Sequence, residues 1–133
     1  DAERAEAWRS MIAYTGRYPV EDGKVVYPGC LGVDVSLEEG ARSARLCGIN
    51  VLAQLKDACG GDLDRVKRVV KLVGFVNAAP SFKDHPKVIN GCSELFAEVF
   101  GAERGIGARS AVGMGPLPGN IAVEIEAIFE LAP

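Results

Sequence analysis

A run near the C-terminal end of the chain alternates between apolar and acidic side chains, and this alternation restricts the fold more than any other feature. One face of the run carries the apolar side chains Ile121, Val123, Ile125, Ala127 and Phe129. The other face carries Ile128 and three carboxylates, Glu124, Glu126 and Glu130. A period of two predicts a β-strand that packs its apolar face on a hydrophobic core.

A second strand is predicted just before this run, on the far side of a segment rich in glycine and proline. We interpret residues 113–119 as a turn, because a phosphate-binding loop would carry a lysine and precede a helix. If the turn is centred between Pro116 and Leu117, antiparallel pairing places Arg109 opposite Glu124. Cross-strand partners point to the same side of a sheet. We therefore expect this guanidinium and this carboxylate to lie side by side, on the face away from the core.

The first predicted helix begins at Ser36 and ends at the glycine pair that follows Cys59. Ser36 and Glu39 have the spacing of a capping box, in which each side chain bonds to the backbone amide of the other residue. The apolar positions then repeat at intervals of three and four residues. This predicted stripe consists of Leu37, Ala41, Ala44, Gly48, Val51, Leu52 and Leu55. Small residues in the stripe predict close packing on a sheet.

The second predicted helix begins near Pro86, a residue well suited to a first helical turn. Asp84 or His85 is expected to cap it, and Gly101 to end it. His85 is the only histidine of the chain, and its place before a proline favours capping or exposure over catalysis.

Strands are further predicted at residues 8–15, at residues 24–27 after a turn at 21–24, and at residues 66–76. The last of these is dense in β-branched residues, which predicts a central strand buried on both faces for part of its length. The predicted order is β-β-α-β-α-β-β, an α+β fold in which two helices cover one face of a mixed sheet. We expect the other face, with Arg109 and Glu124, to be covered by self-association, which would create clefts between subunits.

Length and composition indicate a single domain of 133 residues, with residues 1–7 as a short helix or a frayed tail. Apolar residues make up 48% of the chain, but no apolar run reaches the roughly 18 residues of a membrane span. The formal net charge is −3 and there is no long basic run, so the pattern of a nucleic-acid-binding protein is absent.

The four cysteines are scattered at Cys30, Cys47, Cys59 and Cys92, without a C-x-x-C pair. With one histidine in the chain, this distribution argues against a zinc site. Three of the cysteines lie within apolar patterns, where a free cysteine behaves as a small hydrophobic residue. We therefore expect reduced thiols and a cytoplasmic protein, with Cys30 exposed and oxidisable.

Several segments together resemble the Rid (YjgF) family of reactive-intermediate deaminases. The C-terminal stretch Arg109-Ser-Ala-Val, the pair Leu117-Pro118 and residues 123–128 resemble the signature of that family. Tyr14-Thr-Gly followed by Pro19 is similar to its SGQ-x-P segment. Residues 63–76 are similar to its central strand, and Phe82 with residues 88–90 to its second helix.

This resemblance implies a homotrimer of chorismate-mutase-like α+β subunits with ligand sites at the interfaces. It also implies hydrolysis of 2-imino or 2-enamino acids to 2-keto acids and ammonia, without a cofactor. Arg109 would bind the carboxylate of the substrate, and Glu124 would hold or activate a water molecule. The alternatives are a structural ion pair of Arg109 with Glu124 or Glu126, and a solvated strand face for the glutamates.

Four further residues are candidates for substrate binding: Gly16, Arg17, Tyr18 and Asn90. Gly16 could allow close approach of substrate to the backbone or simply end a strand, and Asn90 could rim the pocket or lie on the surface. The Gly-Pro-Tyr motif of the family is absent, so Tyr18 could replace its aromatic ring or only pack beside Pro19. Arg17 stands where the family has glutamine, and Ala111 where it often has cysteine.

Two rival functions remain open at the level of sequence. A non-catalytic protein could bind a carboxylate metabolite through Arg109 and Arg17, and the departures from the family pattern favour this alternative somewhat. An endoribonuclease, an activity attributed to some relatives, is disfavoured by the negative charge and the lack of a basic groove.

Overall fold

The fold is known from a computed structural model that describes residues 11–133, and side chains from residue 18 onward. The predicted tail at residues 1–7 lies outside the described residues. The strands are β1 (Met11–Arg17), β2 (Val20–Glu21), β3 (Lys24–Val25), β4 (Val66–Asn77), β5 (Ala108–Met114) and β6 (Val123–Leu131). The helices are α1 (Leu37–Ala58), α2 (His85–Phe100) and the short α3 (Ala102–Gly105). Two long helices pack on one face of the sheet, which confirms the α+β prediction.

Four strands form the main sheet in the order β1-β6-β4-β5. β6 is antiparallel to both of its neighbours, whereas β5 is parallel to β4 and forms an edge of the sheet. The predicted turn at residues 21–24 is confirmed as a separate hairpin of β2 and β3. Asp22 and Gly23 both have positive φ, as the tight turns of two-residue hairpins require.

The predicted hairpin of β5 and β6 is wrong, because β4 lies between these two strands. The connection between them crosses the end of the sheet instead of turning back at once. Leu117, Ile121 and Ala122 are buried in this connection, while Pro118 and Gly119 between them are exposed. The crossing segment buries these apolar side chains against the protein. A tight turn would have left them in water, which is unfavourable.

The predicted start of α1 is confirmed, with the full capping box at Ser36 and Glu39. The hydroxyl of Ser36 accepts from the backbone amide of Glu39 at 3.2 Å, and the Glu39 carboxylate accepts from the amide of Ser36 at 2.9 Å. The buried stripe differs in part from the predicted one, since Leu37 is exposed and Leu52 only half-buried. The buried side of α1 consists of Gly40, Ser43, Ala44, Cys47, Gly48, Val51 and Leu55.

Helices α1 and α2 approach each other closely at Gly91. A Cβ atom on Gly91 would overlap the backbone carbonyl of Ala41, so no larger residue fits this crossing without movement of a helix. The predicted end of α2 is confirmed at Gly101, where φ is 82°. Its cap is Asp84, although the carboxylate of Asp84 makes no capping hydrogen bond.

β4 presents alternate residues to the helices and to the open face of the sheet. Leu72 and Val76 are buried beneath the helices, whereas Val73 and Phe75 are only half-buried on the open face. The predicted burial of both faces for part of the length of β4 is found at its end, where the adjacent residues Val76 and Asn77 are both buried. No helix among the described residues is both long and apolar enough to cross a lipid bilayer.

Candidate functional site

Arg109 lies on the edge strand β5, on the side of the sheet that faces the helices. Its partner in β4 is Leu72, which is 3% exposed and packs beneath the helices. Its guanidinium Nη1 donates to Asn90 Oδ1 at 2.7 Å and to Ser93 Oγ at 3.2 Å, both on α2. The prediction that Arg109 projects from the open face is therefore wrong.

Glu124 lies on the opposite face. Its partner in β4 is Phe75, three residues beyond Leu72, and residues separated by an odd number along a regular strand point to opposite faces. The register of β4 is unbroken between these two positions. Arg109 and Glu124 of one chain are thus separated by the thickness of the sheet, so the predicted side-by-side pair does not form within a single chain.

Gly16, Arg17 and Tyr18 lie at the other edge of the sheet. Arg17 pairs with Ile125 of β6, next to Glu124, after an irregularity that follows Tyr14 in β1. Tyr18 is 39% exposed, and its carbonyl oxygen accepts from the Asn50 side-chain amide at 2.9 Å. Side chains are described from Tyr18 onward, so the predicted role of the Arg17 guanidinium stays a prediction.

The candidate residues therefore form two groups on the described chain. Arg109 and Asn90 lie together between β5 and α2. Glu124 lies on β6, beside the strand that carries Gly16 and Arg17. Arg109 and Glu124 lie on opposite faces of the sheet, and β4 lies between their strands.

A groove of about 420 Å³ adjoins Arg109. Its floor is formed by Val69 and Leu72 of β4, and one wall by residues 105–107. The other wall is a stripe of α2 that consists of Asn90, Ser93, Glu94 and Ala97. Sequence reasoning identified only Asn90 of this stripe. The spacing of three, four and seven residues from Asn90 could have indicated the rest, since such positions share one helical face.

The buried thiols of Cys47 and Cys92 are not poised for nucleophilic chemistry. Burial raises the pKa of Cys92 to about 12, and the charge of nearby Arg109 opposes this shift only in part. Burial likewise raises the pKa of Cys47 well above its usual value. All four cysteines are free, as the sequence predicted, and Cys30 is half-buried rather than fully exposed.

His85 is half-buried at the start of α2, and its Nε2 edge contacts β5 at Gly113. A Cβ atom on Gly113 would approach His85 Nε2 to 2.5 Å, so the imidazole occupies the space that glycine leaves open. Its ring also meets the ring of Phe82 edge to face, with centroids 5.3 Å apart. His85 is therefore a packing residue, and the cap of the helix is Asp84.

Comparisons with known proteins agree with this architecture. Residues 4–124 match the model of a family described as "YjgF/chorismate mutase-like, putative endoribonuclease". Protein TCP17 of Trypanosoma cruzi is 47% identical over 121 residues, which are 91% of this chain and 75% of that protein.

Two solved structures share both sequence and fold. Protein Atu1372 of Agrobacterium tumefaciens, a protein of unknown function, is 46% identical with a TM-score of 0.89, and the match covers 92% of this chain and 76% of that one. A Shewanella oneidensis protein described as a "putative endoribonuclease" is 36% identical with a TM-score of 0.87, covering 92% of this chain and 80% of that one. The chain therefore belongs to the YjgF/chorismate mutase-like family, the Rid family that its C-terminal segment resembles.

Proposed function

We propose that this protein hydrolyses small 2-imino or 2-enamino acids to 2-keto acids and ammonia, at sites that two copies of the chain build together. One observation carries the proposal: Arg109 is held in place by two neutral oxygens, those of Asn90 and Ser93. Among the described side chains, no carboxylate forms a salt bridge with it. A guanidinium has five N–H donors, so Arg109 is oriented yet keeps donors and its charge available for a ligand carboxylate.

The proposed site needs a second copy because Arg109 and Glu124 lie on opposite faces of the sheet. A neighbouring chain that sets the open face of its β6 near β5 of the first chain would bring its Glu124 toward the first chain's Arg109. The half-buried Val73 and Phe75 on the open face support such self-association, since contact with another copy would remove their apolar surface from water. A homotrimer is the assembly we propose.

The chemistry requires few groups, because an imine carbon is already electrophilic. Arg109 binds the substrate carboxylate and fixes C2 in position. Glu124 of the neighbouring copy accepts a proton as the water oxygen bonds to C2, and the π electrons move to the imine nitrogen, which takes that proton from Glu124. Glu124 then accepts the hydroxyl proton of the resulting carbinolamine and passes it to the amino nitrogen. The C=O bond forms as the C–N bond breaks, and ammonia and the 2-keto acid leave. An enamine substrate first tautomerises to the imine.

A carboxylate-binding protein without turnover is the second candidate. The observation that favours it is the separation of Arg109 from Glu124 in one chain, because Arg109, Asn90 and Ser93 can hold a carboxylate without any second copy. An endoribonuclease is supported less, since a chain with a net charge of −3 lacks the excess of cations that binds a phosphate backbone.

Trapping of a short-lived imine tests the proposal. An amino-acid oxidase generates the 2-imino acid, and semicarbazide captures whatever imine has not been hydrolysed. Addition of the protein is expected to lower the semicarbazone signal in proportion to its concentration, and Arg109→Ala is expected to abolish this effect. If the signal stays constant while 2-keto acids still raise the melting temperature, the binding function is correct and the deaminase proposal is wrong.

A further inference from the structure

The groove beside Arg109 combines two charged side chains, Arg109 and Glu94, with an apolar floor and apolar sides, and this composition bears on the substrate. We propose that it receives an apolar side chain of the 2-imino acid, and that Ile106 determines the preference for it. This inference rests on the proposed function, which it deepens by naming the substrate class: imino acids with a branched aliphatic or aromatic side chain.

The apolar part of the groove is built from the sheet and from the segment before β5. Val69 and Leu72 form its floor and are each 3% exposed, so their remaining accessible surface faces the groove. Ile106 and Ala97 form its sides, and Ile106 is 59% exposed. An isoleucine so exposed beside a concave apolar floor is well placed to cover a ligand.

Two glycines fix Ile106 in this position. A Cβ atom on Gly105 would overlap the backbone of α2 at Phe96, and one on Gly107 would overlap the carbonyl oxygen of Val69. The segment therefore contacts α2 on one side and β4 on the other through its backbone. Such contacts leave little freedom for the wall, so the groove is formed before a ligand binds.

The chemistry of a 2-imino acid matches this arrangement. Its carboxylate is attached to C2 on one side and its side chain on the other, so a molecule anchored on Arg109 directs its side chain away from the guanidinium. The volume of about 420 Å³ lies within the roughly 300–1,000 Å³ of small-molecule sites. A three-carbon imino acid would leave Val69 and Ile106 in water, whereas a leucine- or phenylalanine-derived one would cover them.

The test compares kcat/KM for the leucine-derived and alanine-derived imines in the trapping assay. The wild-type ratio is expected to favour the leucine-derived imine by about tenfold or more, because the two side chains differ by three carbons and a single methylene group gives roughly 10–200-fold in an apolar pocket. Ile106→Ala is expected to bring this ratio close to one. Ile49→Ala is the matched control, because Ile49 is also an exposed isoleucine, 45% accessible, but lies on α1 outside the groove.

A binding measurement separates this inference from the proposed function. The stable keto acids 4-methyl-2-oxopentanoate and pyruvate serve as probes for the thermal shift of the wild type and of Ile106→Ala. A larger shift with the longer acid that disappears in Ile106→Ala supports the subsite, even if no imine is hydrolysed faster. Equal shifts with both acids, or a preference that survives in Ile106→Ala, would overturn the inference while leaving the deaminase proposal intact.

Discussion

Arg109 and Glu124 point to opposite faces of the sheet, although only fourteen residues separate them in the sequence. The reason is that β4 lies between their strands and pairs with them at positions three residues apart, Leu72 and Phe75. If both residues act on one substrate molecule, they must come from different chains. This requirement can be tested without a structure of the assembly.

Mixed assemblies are expected to recover activity that neither variant has alone. Glu124→Gln should lower kcat/KM by about 10²-fold or more, the usual size of the loss of a positioned proton-transfer group. Arg109→Ala should lower it by about 10²-fold as well, because the substrate loses the anchor that positions C2. When the two variants are co-expressed in equal amounts, random assembly of a symmetric oligomer with shared sites should yield about one quarter of the wild-type sites intact. The measurement is the imine-trapping rate of the mixture.

The control is a mixture of the two variants prepared after each has been expressed and assembled alone. Without exchange of subunits, this mixture should stay inactive. A mixture with no more activity than its components, under conditions where exchange is shown by differently tagged chains, would mean that each site uses residues of one chain only.

Asn90 orients Arg109 without neutralising its charge. Replacing the Asn90 amide with a carboxylate therefore tests whether ligand binding depends on that charge. Asn90→Asp places a carboxylate where Oδ1 now lies, 2.7 Å from the guanidinium. The new ion pair would compete with the ligand, and we expect the Kd for a 2-keto acid to rise by about tenfold, since a charge-assisted hydrogen bond is worth more than 1 kcal/mol. Calorimetric titration measures this.

Asn90→Ala is the matched control, because it removes the hydrogen bond but adds no charge. Its effect on Kd should be smaller than that of Asn90→Asp, with Ser93 still accepting from Arg109. An equal effect of the two substitutions would show that position rather than charge governs ligand binding at Arg109.

Acid should weaken the protein through Glu130 on the open face. Arg68, donating at 2.6 Å, and then Lys67, at 3.1 Å, lower the pKa of this carboxyl. A carboxyl whose pKa is lower in the folded state stabilises the fold above its unfolded value of about 4.3, and this contribution is lost as the pH falls through the folded value.

Urea unfolding at pH 7 and at pH 3 tests the effect of Glu130. We expect Glu130→Gln to lower the free energy of unfolding at pH 7 and to reduce the difference between the two pH values. Glu126→Gln removes a carboxylate from the same face of β6 and is the control. An unchanged pH dependence in Glu130→Gln would show that the pairs with Arg68 and Lys67 do not stabilise the fold.

Local signals in the sequence predicted local structure well. Ser36 and Glu39 identified the start of α1, and the alternation from Val123 onward identified β6, because each pattern is set by interactions over a few residues. The family resemblance, which depends on such segments, was confirmed by the comparisons.

The pairing of β5 could not be predicted from local patterns in the sequence. Its partner β4 is about forty residues away in sequence and parallel to it, and parallel pairing leaves no turn between the strands. Arg109 would lie opposite Glu124 only if strands adjacent in sequence were also adjacent in the sheet. The apolar residue Leu117 inside the supposed turn was the contrary signal, since it is buried in the structure.

The close crossing of α1 and α2 positions the part of α2 that carries Asn90. We expect Gly91 to be essential to this crossing. A Cβ atom there would overlap the carbonyl of Ala41, so Gly91→Ala must separate the two helices. We expect a loss of about 2 kcal/mol or more in the free energy of unfolding, because overpacking a close helix contact typically costs about 1–3 kcal/mol. Gly115→Ala is the control, since nothing lies within 4 Å of the Cβ position at Gly115. Urea denaturation of both variants gives the comparison. If Gly91→Ala is as stable as Gly115→Ala, the helices can move apart at little cost, and the position of Asn90 beside Arg109 is less rigid than the close crossing implies.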